Sequence, residues 1–234
     1  MHGNIETFHA TSAQNSPDEG KNMSFRLILL VALCAVRAVS AAEINGCTIT
    51  SATLCTEMDL SGTNLRGADL ARAALRQSNF TGADMQGANL LRADMVRVNL
   101  DSANLDGAML DEADLRNATL INARLTRARL NGASLKSADL TGADFTGAEL
   151  KGANLSGANL TQTKFGNAQL QRADLSGSVM SGADFRGANM TGANLNNATL
   201  QGADLTGAIL NDIDFSNADI SGCKGCPRVT KTSP

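Results

Sequence analysis

The sequence predicts an all-β solenoid, a single stack of short strands wound around a narrow apolar core. Three observations predict it. A large apolar residue recurs at every fifth position from Leu60 to Ile220. The 234 residues include no Trp and no Tyr, so the interior has little room for large rings. Proline is confined to Pro17, Pro227 and Pro234, outside the periodic run, as a ladder that uses every backbone N–H requires.

Length alone would suggest one or two globular domains. An aromatic share of 3% beside 43% hydrophobic residues points instead to a one-dimensional repeat array. Both histidines, His2 and His9, lie in the first 42 residues. A chain without that segment has no Ser–His or Cys–His nucleophile and no His-containing zinc site. No catalytic residue, metal ligand or cofactor is expected.

Residues 1–42 read as a leader. Residues 27–36, LILLVALCAV, form a ten-residue apolar run behind Lys21 and Arg26 and are followed by Arg37 and AVSAAE. A basic start, a short apolar core and a small-residue exit make a secretory signal peptide, with Met23 as the expected true start and cleavage near Ala41 or Ala42. Ten apolar residues are too few to span a bilayer, which takes roughly 20. The mature chain is therefore expected to be exported (periplasmic, secreted or thylakoid-lumenal) and to have no transmembrane segment.

The repeat occupies residues 58–222. Its 33 large apolar positions are 23 Leu, 5 Phe, 4 Met and 1 Ile, and the residue two before is Ala in 26 of them. Asp or Asn stands between, as in Ala68-Asp69-Leu70 and Ala153-Asn154-Leu155. A polar residue and Gly commonly follow, as in Thr141-Gly142 and Ser156-Gly157. Side chains two apart in a strand point the same way, so each repeat aims one small and one large apolar group inward. Gly tolerates the positive φ of a turn, and Asn or Asp bonds neighbouring backbone groups.

This A(D/N)LxG pattern, unbroken over 58–222, resembles the pentapeptide-repeat family. The resemblance implies a right-handed quadrilateral β-helix in which four repeats make a 20-residue coil. The run then gives about eight coils and a rod of about 40 Å at the usual strand spacing. Residues 20 apart should stack, placing Phe145, Phe165 and Phe185 in one internal column with Met85 toward its N-terminal end.

The rod's ends need caps, because an open sheet edge invites pairing with other chains. An N-terminal cap is expected over 43–57, and a C-terminal cap and tail over 223–234. Four cysteines follow the leader. A rod of that length keeps Cys47 and Cys55 far from Cys223 and Cys226, whereas a disulfide needs Cα atoms within about 7 Å. Only Cys47–Cys55 and Cys223–Cys226 remain within one molecule, in keeping with export. The CxxC at 223–226 is expected to be a clasp, since a redox motif usually opens a helix beside a βαβ core.

Charge is uneven along the run. Residues 66–136 hold ten basic and eight acidic groups, against four and nine in 137–222. On a 20-residue coil Arg76, Arg116 and Lys136 share an outward column, with Arg72 and Arg92 in a column nearby. Arg124, Arg127 and Arg129 form a second basic group, two of them standing where Asp or Asn is usual. Asp101, Asp106 and Asp111 mark three successive faces of one coil. The basic residues are a candidate surface for an anionic partner, although Arg92 has Glu112 one coil away as a ready counter-ion.

The functional expectation is an exported, non-enzymatic rod that serves as an interaction or scaffold module, as a monomer or a weak end-to-end dimer. Its partner would be a protein or an anionic envelope component. The family resemblance also raises a DNA-mimicking, topoisomerase-binding role. The leader and the Arg-rich half disfavour that role, and nucleic acid is not the expected partner.

Overall fold

A computed structural model describes residues 42–227. The leader, its cleavage point, both histidines and the tail from 228 onward lie outside the described residues.

The chain enters through an antiparallel hairpin of β1 (Ala42–Ile44) and β2 (Cys47–Ile49), paired Ala42 with Ile49 and Ile44 with Cys47. Asn45 and Gly46 turn it, with φ of 51° and 82°. An Asn-Gly pair with both φ positive matches the right-handed twist of the strands it joins. Ile44 and Ile49 pack on the core, so the hairpin covers the first coil.

From Leu54 onward every fifth residue forms a parallel bridge with the residue 20 later, through Asp204↔Lys224. Four bridges per 20 residues make a four-sided coil. The Ala and Leu positions face inward and are almost wholly buried from Leu70 through Leu205. Phe145, Phe165 and Phe185 stack with centroids 5.1 and 4.9 Å apart.

One repeat shows where every N–H goes. Ala153 N–H donates to Leu150 O within the turn, Asn154 N–H to Ala133 O one coil back, and Leu155 N–H to Asp174 O one coil forward. Gly157 N–H donates to Ser176 O at the corner. Ser156 N–H has no carbonyl and donates to Asn154 Oδ1 at 2.9 Å. That fifth bond is the reason for Asp or Asn beside the Leu: a backbone donor with no partner costs about 1–3 kcal/mol when shielded from water. The Gly place has positive φ at each corner, and Arg72, Arg97 and Arg127 occupy it at 56–58° without being glycine.

The bridge ladder runs one repeat beyond the 58–222 limits read from the sequence, at both ends. Cys55 takes an inward Leu place and Cys223 an inward Ala place, and neither matches the rule of a large apolar residue every five. Gly225 falls where the next Leu would be. A Cβ there would sit 2.7 Å from the Leu205 carbonyl carbon, so the chain can fold over the final coil only as glycine. Disulfides join Cys47 to Cys55 and Cys223 to Cys226, with Cα atoms 5.4 and 5.8 Å apart. In the last coil Leu210, Ile213, Phe215 and Ile220 are only half-buried.

Candidate interaction surface

The coil distributes the eight predicted basic residues over several corners and gives them different neighbours. Arg92 donates from Nε and Nη2 to the two carboxylate oxygens of Glu112, at 2.8 and 3.1 Å. Those bonds, with the attraction between the two charges, hold Glu112 below its usual range and raise Arg92.

Arg124 and Arg129 are tied to the acidic coil. Arg124 donates to Asp106 at 2.7 Å and Arg129 forms an ion pair with Asp111 at 2.9 Å, and both carboxylates are largely buried. The reason is the missing Asx. Thr119, Arg124 and Arg129 stand where Asp or Asn would cap the N–H two residues on. Asp101, Asp106 and Asp111 from the previous coil accept the N–H groups of Ile121, Thr126 and Asn131 instead, at 2.8, 3.2 and 3.0 Å. Burial pushes Asp106 up, but bonds from Arg124 and Thr126 and the Arg124 charge outweigh it, so its pKa is lowered. These acids are internal caps, while the arginines paired with them stay 64% and 53% exposed.

Arg76 and Arg116 stand at a single corner, two coils apart. Arg76 donates through Nε to Asp94, and Arg116 grips Asp114 through Nε and Nη2. Both arginine side chains stay about half exposed, at 55% and 50%. The Arg116 bonds lower the Asp114 pKa, against the opposing effect of burial. Between them lie Val96, half-buried, and Arg97, exposed. Together with Gln77 and Asn117 these residues line a shallow concavity of about 260 Å³. Lys136 continues the column one coil on, its carbonyl accepting the Asn117 N–H at 3.0 Å.

Arg72, Arg97, Arg127 and Lys136 have no ion-pair partner among the described residues. Arg97 was missing from the sequence-derived set. The signal was available, because it lies in the column 77/97/117, beside 76/96/116.

A larger concavity, about 570 Å³, opens where Gly166 replaces the polar residue between Thr146 and Arg186. Its cations are matched: Arg186 binds Asp184 at 2.7 Å and Lys164 lies 4.0 Å from Asp144. Among the described residues no group of three or more His, Cys, Asp or Glu side chains is placed to hold a metal. No helix there is long and apolar enough to cross a membrane.

The family model for pentapeptide repeats matches in eight copies that together span residues 55–224. Among solved structures, HetL is a pentapeptide repeat protein involved in heterocyst differentiation regulation from the cyanobacterium Nostoc sp. strain PCC 7120. It is 37% identical over 72% of this chain and 87% of its own, with a TM-score of 0.37. A pentapeptide repeat protein of the Arabidopsis thaliana thylakoid lumen is 38% identical over 41% of this chain and 63% of its own, at 0.34. QnrB1, a plasmid-mediated fluoroquinolone resistance protein, is 21% identical over 73% of this chain and 91% of its own, at 0.43. No curated protein matches the chain significantly.

Proposed function

The chain belongs to the pentapeptide-repeat family and folds as a right-handed quadrilateral β-helix, and on that premise we propose that it is an exported, non-enzymatic interaction module. A stiff rod of this kind holds outward side chains in fixed register for a protein partner. The observation that carries the reading is the corner ladder. At each corner the backbone is bonded to the coils on either side, as Gly157 is to Ser176, so side chains are displayed on a frame with little freedom to rearrange.

Export is supported by the leader pattern in residues 23–42 and by two disulfides in so short a chain, which fit an oxidising compartment. Fractionation with N-terminal sequencing tests it, the expected product starting near Ala42 or Glu43. An intact chain in the cytoplasm would overturn export. Crosslinking in the native compartment tests the module reading, with a reproducible protein partner as the expected result. A gyrase supercoiling assay checks the topoisomerase-binding alternative, and no effect at micromolar protein is expected.

A further inference from the structure

We propose that the corner carrying Arg76, Arg97, Arg116 and Lys136 is a docking strip for an extended acidic segment of a partner protein, lying along the rod axis. The inference rests on the interaction-module reading and names the surface and the chemistry of its partner.

The other predicted basic residues are spread over other columns, at most two to a column. Arg92 is held by Glu112, and Arg124 and Arg129 by buried carboxylates that cap the backbone. Arg72 shares its column with Arg92 and Glu112, and Arg127 stands at another corner. The 76–136 corner instead gathers four cations against Asp94, Asp114 and, at its N-terminal end, Glu57, and Asp94 and Asp114 orient guanidinium groups without exhausting them. A guanidinium has five N–H donors. Arg76 uses only Nε on Asp94, and Arg116 keeps Nη1. The ion pairs restrict both side chains in advance, which reduces the entropy lost on binding.

Spacing selects the form of the ligand. Arg76 and Arg116 are two coils apart, roughly 10 Å along the axis by strand spacing. A polyproline-II segment repeats its face every three residues, roughly 9 Å apart, so carboxylates three residues apart reach both arginines. Each can then be gripped bidentately. Half-buried Val96 floors the concavity between them, where the intervening aliphatic side chain or ring would rest. Arg97 flanks this floor at a φ of 58°, and Lys136 extends the strip by one more coil.

The test is a titration of the mature rod with a labelled peptide of four Glu-Pro-Pro triplets, by fluorescence anisotropy at low salt. The variant is Arg76→Ser with Arg97→Gly and Arg116→Ser. Ser156-Gly157 and Ser176-Gly177 already stand at this corner further along the rod, so the substitutions suit the coil. Arg97→Gly alone serves if the triple variant folds poorly. The charge control is Arg72→Gly with Arg127→Gly and Arg172→Gly.

The expected result is binding to the wild type and at least about tenfold loss in the strip variant. The control should lose less than about threefold, and a peptide with Gln for Glu should not bind. Equal loss in both variants, or no wild-type binding below about 1 mM, overturns the proposal. So does tighter binding of a duplex DNA through the same residues. The module reading fails separately, if native crosslinking captures no partner with either the wild type or the strip variant.

Discussion

Asp111 accepts the backbone N–H of Asn131 at 3.0 Å, and Asn131 in turn accepts that of Lys151 at 3.0 Å. Each bond crosses from one coil to the next at the same corner. Together they show a second way of closing a turn in this solenoid. Where the residue beside the Leu is Asp or Asn, as at Asn154, it caps its own turn. Where it is Arg129 or Glu149, the coil before supplies the acceptor. The repeat thus tolerates a charged residue at that place without leaving a backbone donor bare.

Asp106→Ala should therefore destabilise the rod by about 1–3 kcal/mol. It removes the acceptor for Thr126 N–H, Thr126 Oγ1 and Arg124 at once. Asp106→Asn keeps a backbone acceptor and should lose less. Thermal melts of both compare them; an unchanged melting point for Asp106→Ala would show that this cap contributes nothing.

Stability should be flat across neutral pH and fall in acid. Asp59, Asp84, Asp106, Asp114, Asp184, Asp204, Asp214 and Asp219 all lie below their ordinary value of 3.8 in the folded chain. The unfolded chain therefore takes up protons first as pH drops, and the stabilisation present above 3.8 is lost as pH falls through the lower folded values. Residues 42–227 contain no histidine, so the melting temperature is expected to hold from about pH 8 to about pH 5. A midpoint near neutrality would require another titrating group.

Two glycines should respond oppositely to alanine. At Gly225 a Cβ meets the Leu205 backbone at 2.7 Å and φ is +73°, so Gly225→Ala should cost at least about 1 kcal/mol. Gly166 has ordinary φ and nothing closer than 3.8 Å. Gly166→Ala should be neutral or add about 0.4–1 kcal/mol. Urea titrations of the two variants decide the matter, and equal effects would contradict the described close approach.

The disulfides should differ in their response to reductant under native conditions. Cys47, on the inner side of β2, and Cys55 are 1% and 2% exposed, while Cys223 and Cys226 are more open. Limited reduction followed by alkylation and mass mapping should label 223 and 226 first, because thiol exchange needs access to the sulfur. Prior labelling of Cys47 would mean that the hairpin opens readily.

The fold was legible because inward residues repeat at one spacing, and that spacing placed Phe145, Phe165 and Phe185 in a single stack. Column counting also paired Arg92 with Glu112, which are 20 apart. It missed Arg76 with Asp94, Arg66 with Asp84 and Arg124 with Asp106, all 18 apart. Long guanidinium side chains reach diagonally between a corner and the flat of the neighbouring coil, and stacking arithmetic does not register a diagonal. The ends were blurred for another reason: Cys55 and Gly225 keep the backbone path after the side-chain rule has lapsed. Asn45-Gly46 carried a readable hairpin signal inside the stretch assigned only as a cap.

Because the bridges join residues 20 apart, the surface behaves as a combination lock with four dials on one spindle. Removing a single repeat between Arg97 and Arg116 would turn everything downstream by a quarter revolution, sending Arg116 and Lys136 round to a neighbouring corner while the interior still meshed Leu on Leu. Inserting four repeats there instead would keep the alignment on a longer spindle. A family drifting by whole repeats can thus scramble what it shows to the outside at almost no cost to the inside, and only multiples of four preserve a message already written.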